Sequence, residues 1–268
     1  MQHPLITARK LAASPEQYRI CDLRWDLTDP AKGRTTYEAG HIPGAVFVDL
    51  DEDLAAPPGD GGRHPLPAVT DFASTLGRLG IARGTQVVVY DDVGGRIAAR
   101  LWWMLRAIGH ERAQVLDGGY QAWVEEGFDI GLGRVTPQAA RYPIPSSFSG
   151  VASHDQLAER TLIDARNPDR YRGDHEPVDP KAGHIPGAHN IPTSANLDEK
   201  GRFRDPGALA ELYSHLPGDV VVSCGSGVTA CHDALAMVIA GRDMPDVYVG
   251  SFSEWSGFDL PVVSGDHP

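Results

Sequence analysis

Cysteine is scarce in this chain, with three among 268 residues at positions 21, 224 and 231. That is too few, and too scattered, for a disulfide framework or a zinc site, so neither a metal nor a disulfide scaffold is expected, and a single working thiol becomes the question. Positive charge is also short. Lys and Arg number 24 against 36 Asp and Glu, a formal charge of −12. Nucleic acid and anionic membranes are bound through clustered cations, so no nucleic acid and no membrane are expected as partners. No apolar run approaches the ~20 residues of a membrane span. The opening Met-Gln-His-Pro-Leu lacks a cationic stretch followed by an apolar one, and a cytoplasmic enzyme is the expectation. Low-complexity tracts are missing too. What is there is globular, 41% hydrophobic and 22% charged, in a length that suits two domains of ~100–150 residues.

The same phrases occur twice in the same order, which implies a duplicated structural unit. Asp22-Leu-Arg24 returns as Asp164-Ala-Arg166, and His41-Ile-Pro-Gly-Ala45 returns as His184-Ile-Pro-Gly-Ala188. Val87-Val-Val-Tyr-Asp91 matches Val220-Val-Val-Ser-Cys224, and the segment ending in Trp123 matches the one ending in Trp255. The first repeat is longer in its middle by ~10 residues, within the Gly- and Pro-rich stretch 53–67, a loop insertion of the tolerated kind. Short β-branched runs at 87–90 and 220–223 read as buried strands. Each leads through a glycine-bearing loop into helical spacing, at 97–108 and 228–240, that ends at Gly109 or Gly241. Alternating strands and helices predict an α/β fold, each repeat a parallel sheet with helices on both faces. The Pro- and Ser-rich stretch near 131–150 has linker composition. An N-terminal domain over 1–135, a linker over 136–149 and a C-terminal domain over 150–268 are expected.

The segment Cys224-Gly-Ser-Gly-Val-Thr-Ala230 stands between strand and helix. Gly225 and Gly227 let the chain curl so that successive N–H groups converge on one point, with the positive end of the helix dipole behind them. Such a nest favours an anion, and a thiolate or a persulfide on Cys224 is one.

CGSGVTA, the paired HIPGA phrases, the paired D-x-R strand ends and the closing tryptophans resemble the two-domain sulfurtransferases of the rhodanese family, over nearly the whole chain. The loop is similar to the 3-mercaptopyruvate sulfurtransferase form. In thiosulfate-preferring relatives the second and third loop residues are basic, whereas here they are Gly225 and Ser226; a neutral loop favours mercaptopyruvate over the dianion thiosulfate. The resemblance implies two tandem rhodanese-like domains. It also implies that Cys224 moves sulfane sulfur from a small-molecule donor, as a persulfide, to a thiol acceptor such as thioredoxin, or to cyanide, with release of pyruvate and no cofactor. It places Ser226, His64 and Asp51 with Cys224 as catalytic residues, the last two reaching over from the first domain. Gly225, Gly227, Val228, Thr229 and Ala230 line the substrate loop, and Arg170 holds the substrate carboxylate. A second substrate arginine is expected between Gly173 and His184, but that segment is short and offers Val178 and Lys181; the expectation is either weaker carboxylate binding or substitution by Arg172 or Lys181. Asp91 occupies the position of Cys224 in the first repeat, and a carboxylate cannot form a persulfide, so the first domain is expected to be inactive.

Other residues read as architecture. Cys21 and Cys231 fall in apolar segments and are expected in the core, as are Trp102 and Trp103. His41 and His184, Asp22 and Arg24, Asp164 and Arg166 recur in both halves and point to turns and strand ends rather than chemistry. Three rival functions are weighed. Rhodanese-fold phosphatases need a C-x5-R pattern, and Ala230 stands where the arginine belongs. A non-catalytic binding module is opposed by the intact Cys224 loop. Thiosulfate sulfurtransferase is the nearest alternative, separated by loop charge alone.

Overall fold

The computed structural model describes residues 2–268. Ten strands form two sheets of five, every pair parallel. The first holds β1 (Leu5–Ile6), β2 (Tyr18–Asp22), β3 (Val46–Phe47), β4 (Gln86–Tyr90) and β5 (Ala113–Leu116) in the order β1-β5-β4-β2-β3. The second holds β6 (Val151–Ala152), β7 (Thr161–Asp164), β8 (Ala188–Asn190), β9 (Val220–Ser223) and β10 (Asp246–Tyr248) in the order β6-β10-β9-β7-β8. The two orders are the same under the sequence repeat, so duplicated phrases mean duplicated topology. In both, the middle strand is the Val-rich one. Val87, Val88 and Val89, like Val220, Val221 and Val222, are buried, as parallel strands covered on both faces require.

The recurring phrases tie strand ends to turns. Arg24 forks onto the carboxylate of Asp22, at 3.0 and 2.6 Å, and also donates to the carbonyl of Gly40 at 2.6 Å. Arg166 repeats this with Asp164 and Gly183. His41 stacks on Tyr37 and bonds its carbonyl through Nδ1; His184 does the same with Tyr171. A buried guanidinium paired in this bidentate way is expensive to disrupt. These eight residues build the frame from which the loops hang. Cys21, Cys231, Trp102 and Trp103 are buried.

Two compact units emerge. One comprises the chain through Ala55 with Pro67–Ser149 and Glu199–Phe203; the other comprises Ala56–Leu66, Gly150–Asp198 and Arg204–Pro268. The segment between Ala56 and Leu66, which is the extra length of the first repeat, therefore packs with the second unit. Gly62 explains how. It has φ +91°, and a Cβ there would lie 2.6 Å from Ser253 Oγ and 2.8 Å from the Gly250 carbonyl, so only glycine permits the approach. The neighbouring Arg63 N–H donates to Ser253 Oγ at 3.1 Å. The linker stretch packs on the first unit through Ala140 and Ser149, which donate to the carbonyls of Gly77 and Ala107. No helix among the described residues is long and apolar enough to cross a membrane.

Candidate active site

Cys224 follows β9, at the carboxyl end of the central strand of the second sheet, where open α/β sheets place their ligand sites. Only 1% of it is exposed. The loop curls back so that the Gly227 N–H points at Cys224 Sγ, 3.1 Å away. Gly227 has φ +74°, and a Cβ there would come within 2.1 Å of the Val249 carbonyl, so this glycine is obligatory. Thr229 then stands at the N-cap of the helix Ala230–Ile239, without a side-chain capping bond, and Val228 and the first residues of that helix are buried. The sulfur thus receives a backbone N–H close to a helix start, a setting that favours negative charge.

Ser226 shares a hydrogen bond of 2.8 Å with His64 Nδ1, and both side chains are buried. This brings the loop's hydroxyl, two residues after Cys224, and an imidazole 162 residues earlier to one place. Asp51 is carried by the first unit, where it accepts the indole N–H of Trp25 at 2.8 Å.

Arg170 faces Gly225: a Cβ added there would lie 3.4 Å from Arg170 Nη1, and 3.0 Å from Arg63 Nη2. Gly225 is therefore needed as space for two guanidinium groups rather than for its backbone freedom. Arg170 bonds both oxygens of Glu176, at 2.7 and 3.1 Å, and Asp179 Oδ2 at 2.9 Å; Arg63 pairs with the other oxygen of Asp179. Burial works to raise the pKa of Glu176, but the Arg170 hydrogen bond and the N–H groups of Asp179 and Val178 outweigh it and hold the carboxyl below its ordinary value. The two expected substitutes for a second arginine lie elsewhere. Lys181 donates to the carbonyls of Phe258 and Leu260, and Arg172 pairs with Asp174.

Two residues at the site escape the motif reading. Arg63 is one. The other is Ser251, whose φ of +52° makes it the one positive-φ residue besides glycine among the described residues. Its hydroxyl accepts the Cys224 N–H at 3.1 Å, donates to the Tyr248 carbonyl at 2.8 Å, and lies 4.0 Å from Cys224 Sγ. A serine held in left-handed backbone is strained by ~1 kcal/mol or more. The first repeat carries Gly119, φ +56°, at the matching position, so the aligned repeats do contain the signal.

The Rhodanese-like domain family matches residues 7–126 and 151–257. The chain belongs to the rhodanese family. A Pseudomonas aeruginosa member named "Probable 3-mercaptopyruvate sulfurtransferase" is 40% identical over 98% of both chains. A Rattus norvegicus member named "Thiosulfate sulfurtransferase" is 34% identical, covering 88% of this chain and 84% of its own. The structure of 3-mercaptopyruvate sulfurtransferase from Leishmania major superposes with a TM-score of 0.86 at 31% identity, covering 94% of this chain and 74% of that one. Both five-stranded units are thus rhodanese-like domains, as the repeat predicts. No group of three or more His, Cys, Asp or Glu that could hold a metal ion occurs among the described residues.

Proposed function

We propose that this rhodanese-family protein is a sulfurtransferase that takes sulfane sulfur from 3-mercaptopyruvate. The observation that carries the reading is the Gly227 N–H aimed at the buried Cys224 sulfur, with Ser226 of the same loop hydrogen-bonded to His64. The Cys224 thiolate attacks the donor sulfur and the donor's C–S bond breaks. Its electron pair leaves on the pyruvate enolate, and the proton of the donor thiol ends on the pyruvate methyl group, leaving a persulfide anion on Cys224. Ser226 and His64 are suited to hold and pass that proton, since their shared hydrogen bond is already made. Asp51 orienting His64 is part of the same proposal. In the second half-reaction a thiol, such as that of thioredoxin, or cyanide attacks the outer sulfur and regenerates the thiolate, which gives ping-pong kinetics. All three cysteines are free, in keeping with a reducing cytoplasm.

Incubation with mercaptopyruvate should add about 32 Da, one sulfur atom, to Cys224. Cys224→Ser should abolish both the adduct and turnover with the fold unchanged; a persulfide formed without this thiol would end the proposal. His64→Ala should lower kcat by about 100-fold, the size of one general acid–base group, with a smaller change in KM; Asp51→Asn should reproduce part of that loss. Thiosulfate is the second reading, supported by the two guanidinium groups over Gly225. Comparing kcat/KM for the two donors decides between them. Mercaptopyruvate is favoured because Asp179 and Glu176 already neutralise those arginines, leaving little net field for a dianion.

A further inference from the structure

We propose that Arg63 supplies the second arginine of the donor-carboxylate clamp, and that Asp179 occupies this clamp until the donor's carboxylate takes its place. The inference rests on the reading above and names the residues that recognise the donor.

Arg63 belongs to the extra loop of the first repeat, far in sequence from Arg170, yet the structure sets both over Gly225. Their side chains stay 26% and 19% exposed, so a small anion can reach them. Between them sits one carboxylate, buried to 1%, with one oxygen on each guanidinium: Asp179 Oδ1 on Arg63 and Oδ2 on Arg170. Two guanidinium forks bridged by a carboxylate is the arrangement a keto-acid would adopt with its own carboxylate. Arg63 Nε is buried with no hydrogen-bond partner, so the fork holds an unused donor. The backbone fixes the arginine independently of Asp179, through the N–H of Arg63 on Ser253 and the turn at Gly62, so the clamp keeps its position when the bridging carboxylate changes.

Exchange of one carboxylate for another conserves charge, which suits a monoanionic donor head and penalises a dianion. A carboxylate already in place also lowers apparent affinity, since the incoming group must compete with it.

The test is calorimetric titration of the unreacted protein with pyruvate, which measures carboxylate binding without sulfur transfer, alongside KM for mercaptopyruvate. Arg63→Ala should weaken pyruvate and raise KM by about 10- to 100-fold, the range of a lost charge-assisted hydrogen bond, while saturating donor still loads Cys224 with one sulfur. Arg63→Lys keeps the charge without the fork and should recover only part of the loss. Asp179→Asn should tighten pyruvate several-fold and improve thiosulfate relative to mercaptopyruvate. Unchanged pyruvate binding in Arg63→Ala, or weaker binding in Asp179→Asn with an unaltered melting temperature, overturns the clamp. Absence of any sulfur adduct on the wild-type Cys224 overturns the sulfurtransferase reading instead, whatever pyruvate binding shows.

Discussion

The loop after β4 and the loop after β9 occupy the same place in the repeat and hold opposite contents. In the first unit the buried Asp91 carboxylate accepts four backbone N–H groups, from Val93 and Gly95 on one oxygen and from Ile97 and Ala98 on the other, at 2.7 to 2.9 Å. In the second unit Cys224 stands at the same position and its sulfur receives the Gly227 N–H at 3.1 Å. The first loop is an anion nest whose anion is built in. The second curls around a sulfur instead, with left-handed backbone at Gly227 alone where the first has it at Gly94 and Gly95. Of the N–H groups that the repeat matches to the donors of Asp91, that of Cys231 is given to the Val228 carbonyl. A persulfide is longer than a thiolate by one atom, about the reach that a carboxylate has beyond its Cβ. Duplication has thus left a carboxylate version and a cysteine version of one loop position in the same chain, and the carboxylate copy holds its negative charge on backbone N–H groups.

The sharpest way to break this comparison is to make the loops alike. Cys224→Asp should be fully inactive yet melt higher than the parent, because the new carboxylate fills the nest as Asp91 does. A lower melting temperature would mean the two nests are not equivalent. Next in size, Asp91→Ala strips an acceptor from three buried N–H groups and one part-buried one and should destabilise the first unit by about 3 kcal/mol or more, while sulfur loading of Cys224 persists when the protein is held well below its melting point. Differential scanning calorimetry and intact mass read these separately. A smaller effect is expected at Ser251, a positioning residue. Ser251→Gly relieves the φ of +52° but leaves the Cys224 N–H without its acceptor. Stability should change by less than about 1 kcal/mol, while the rate of sulfur loading of Cys224, read by intact mass, should fall as the backbone under the sulfur loses its anchor. An unchanged loading rate would reduce Ser251 to a turn residue.

Much of this was legible in the sequence because the repeat is short-range and chemical. The Val-rich strands at 87–90 and 220–223, the helices behind them and the Cys224 loop follow from burial pattern and glycine spacing, and the structure ends each within two residues of the expected span. Arg63 and Ser251 were not legible, for different reasons. Arg63 reaches the site only because a glycine at 62 lets an inserted loop lie against residues nearly 190 positions later, and no local pattern encodes a long-range landing place. Ser251 is visible only as a serine where the other repeat has glycine, a difference that acquires meaning once its φ is known. Sequence proximity points to Arg172 and Lys181 as companions of Arg170, yet it is Arg63 that shares the Asp179 carboxylate with it.

The least expected effect concerns a group just behind the Cys224 loop, in the helix that the first unit matches with Ala98–Ala107, where the buried Arg100 stands at the equivalent position. Asp233 is fully buried and accepts from Asn196 Nδ2 at 2.7 Å, while its second oxygen has no hydrogen-bond partner; Asn196 in turn receives the hydroxyl of Tyr213. Burial pushes the Asp233 carboxyl well above its ordinary pKa, the Asn196 hydrogen bond opposing and the charge of Asp164 adding to the rise. The folded protein therefore keeps this proton to a higher pH than the unfolded chain does. Between the unfolded pKa, about 3.9, and the raised folded one, the native state binds more protons, so stability falls as pH rises, by at most about 1.4 kcal/mol per pH unit from this group. Below pH 4 both states hold the proton and the contribution is complete. Asp233→Asn keeps the acceptor for Asn196 and cannot ionise. Its melting temperature should track the parent near pH 4 and exceed it increasingly as pH rises above that, whereas a gap independent of pH would mean that the carboxyl is ionised in the fold.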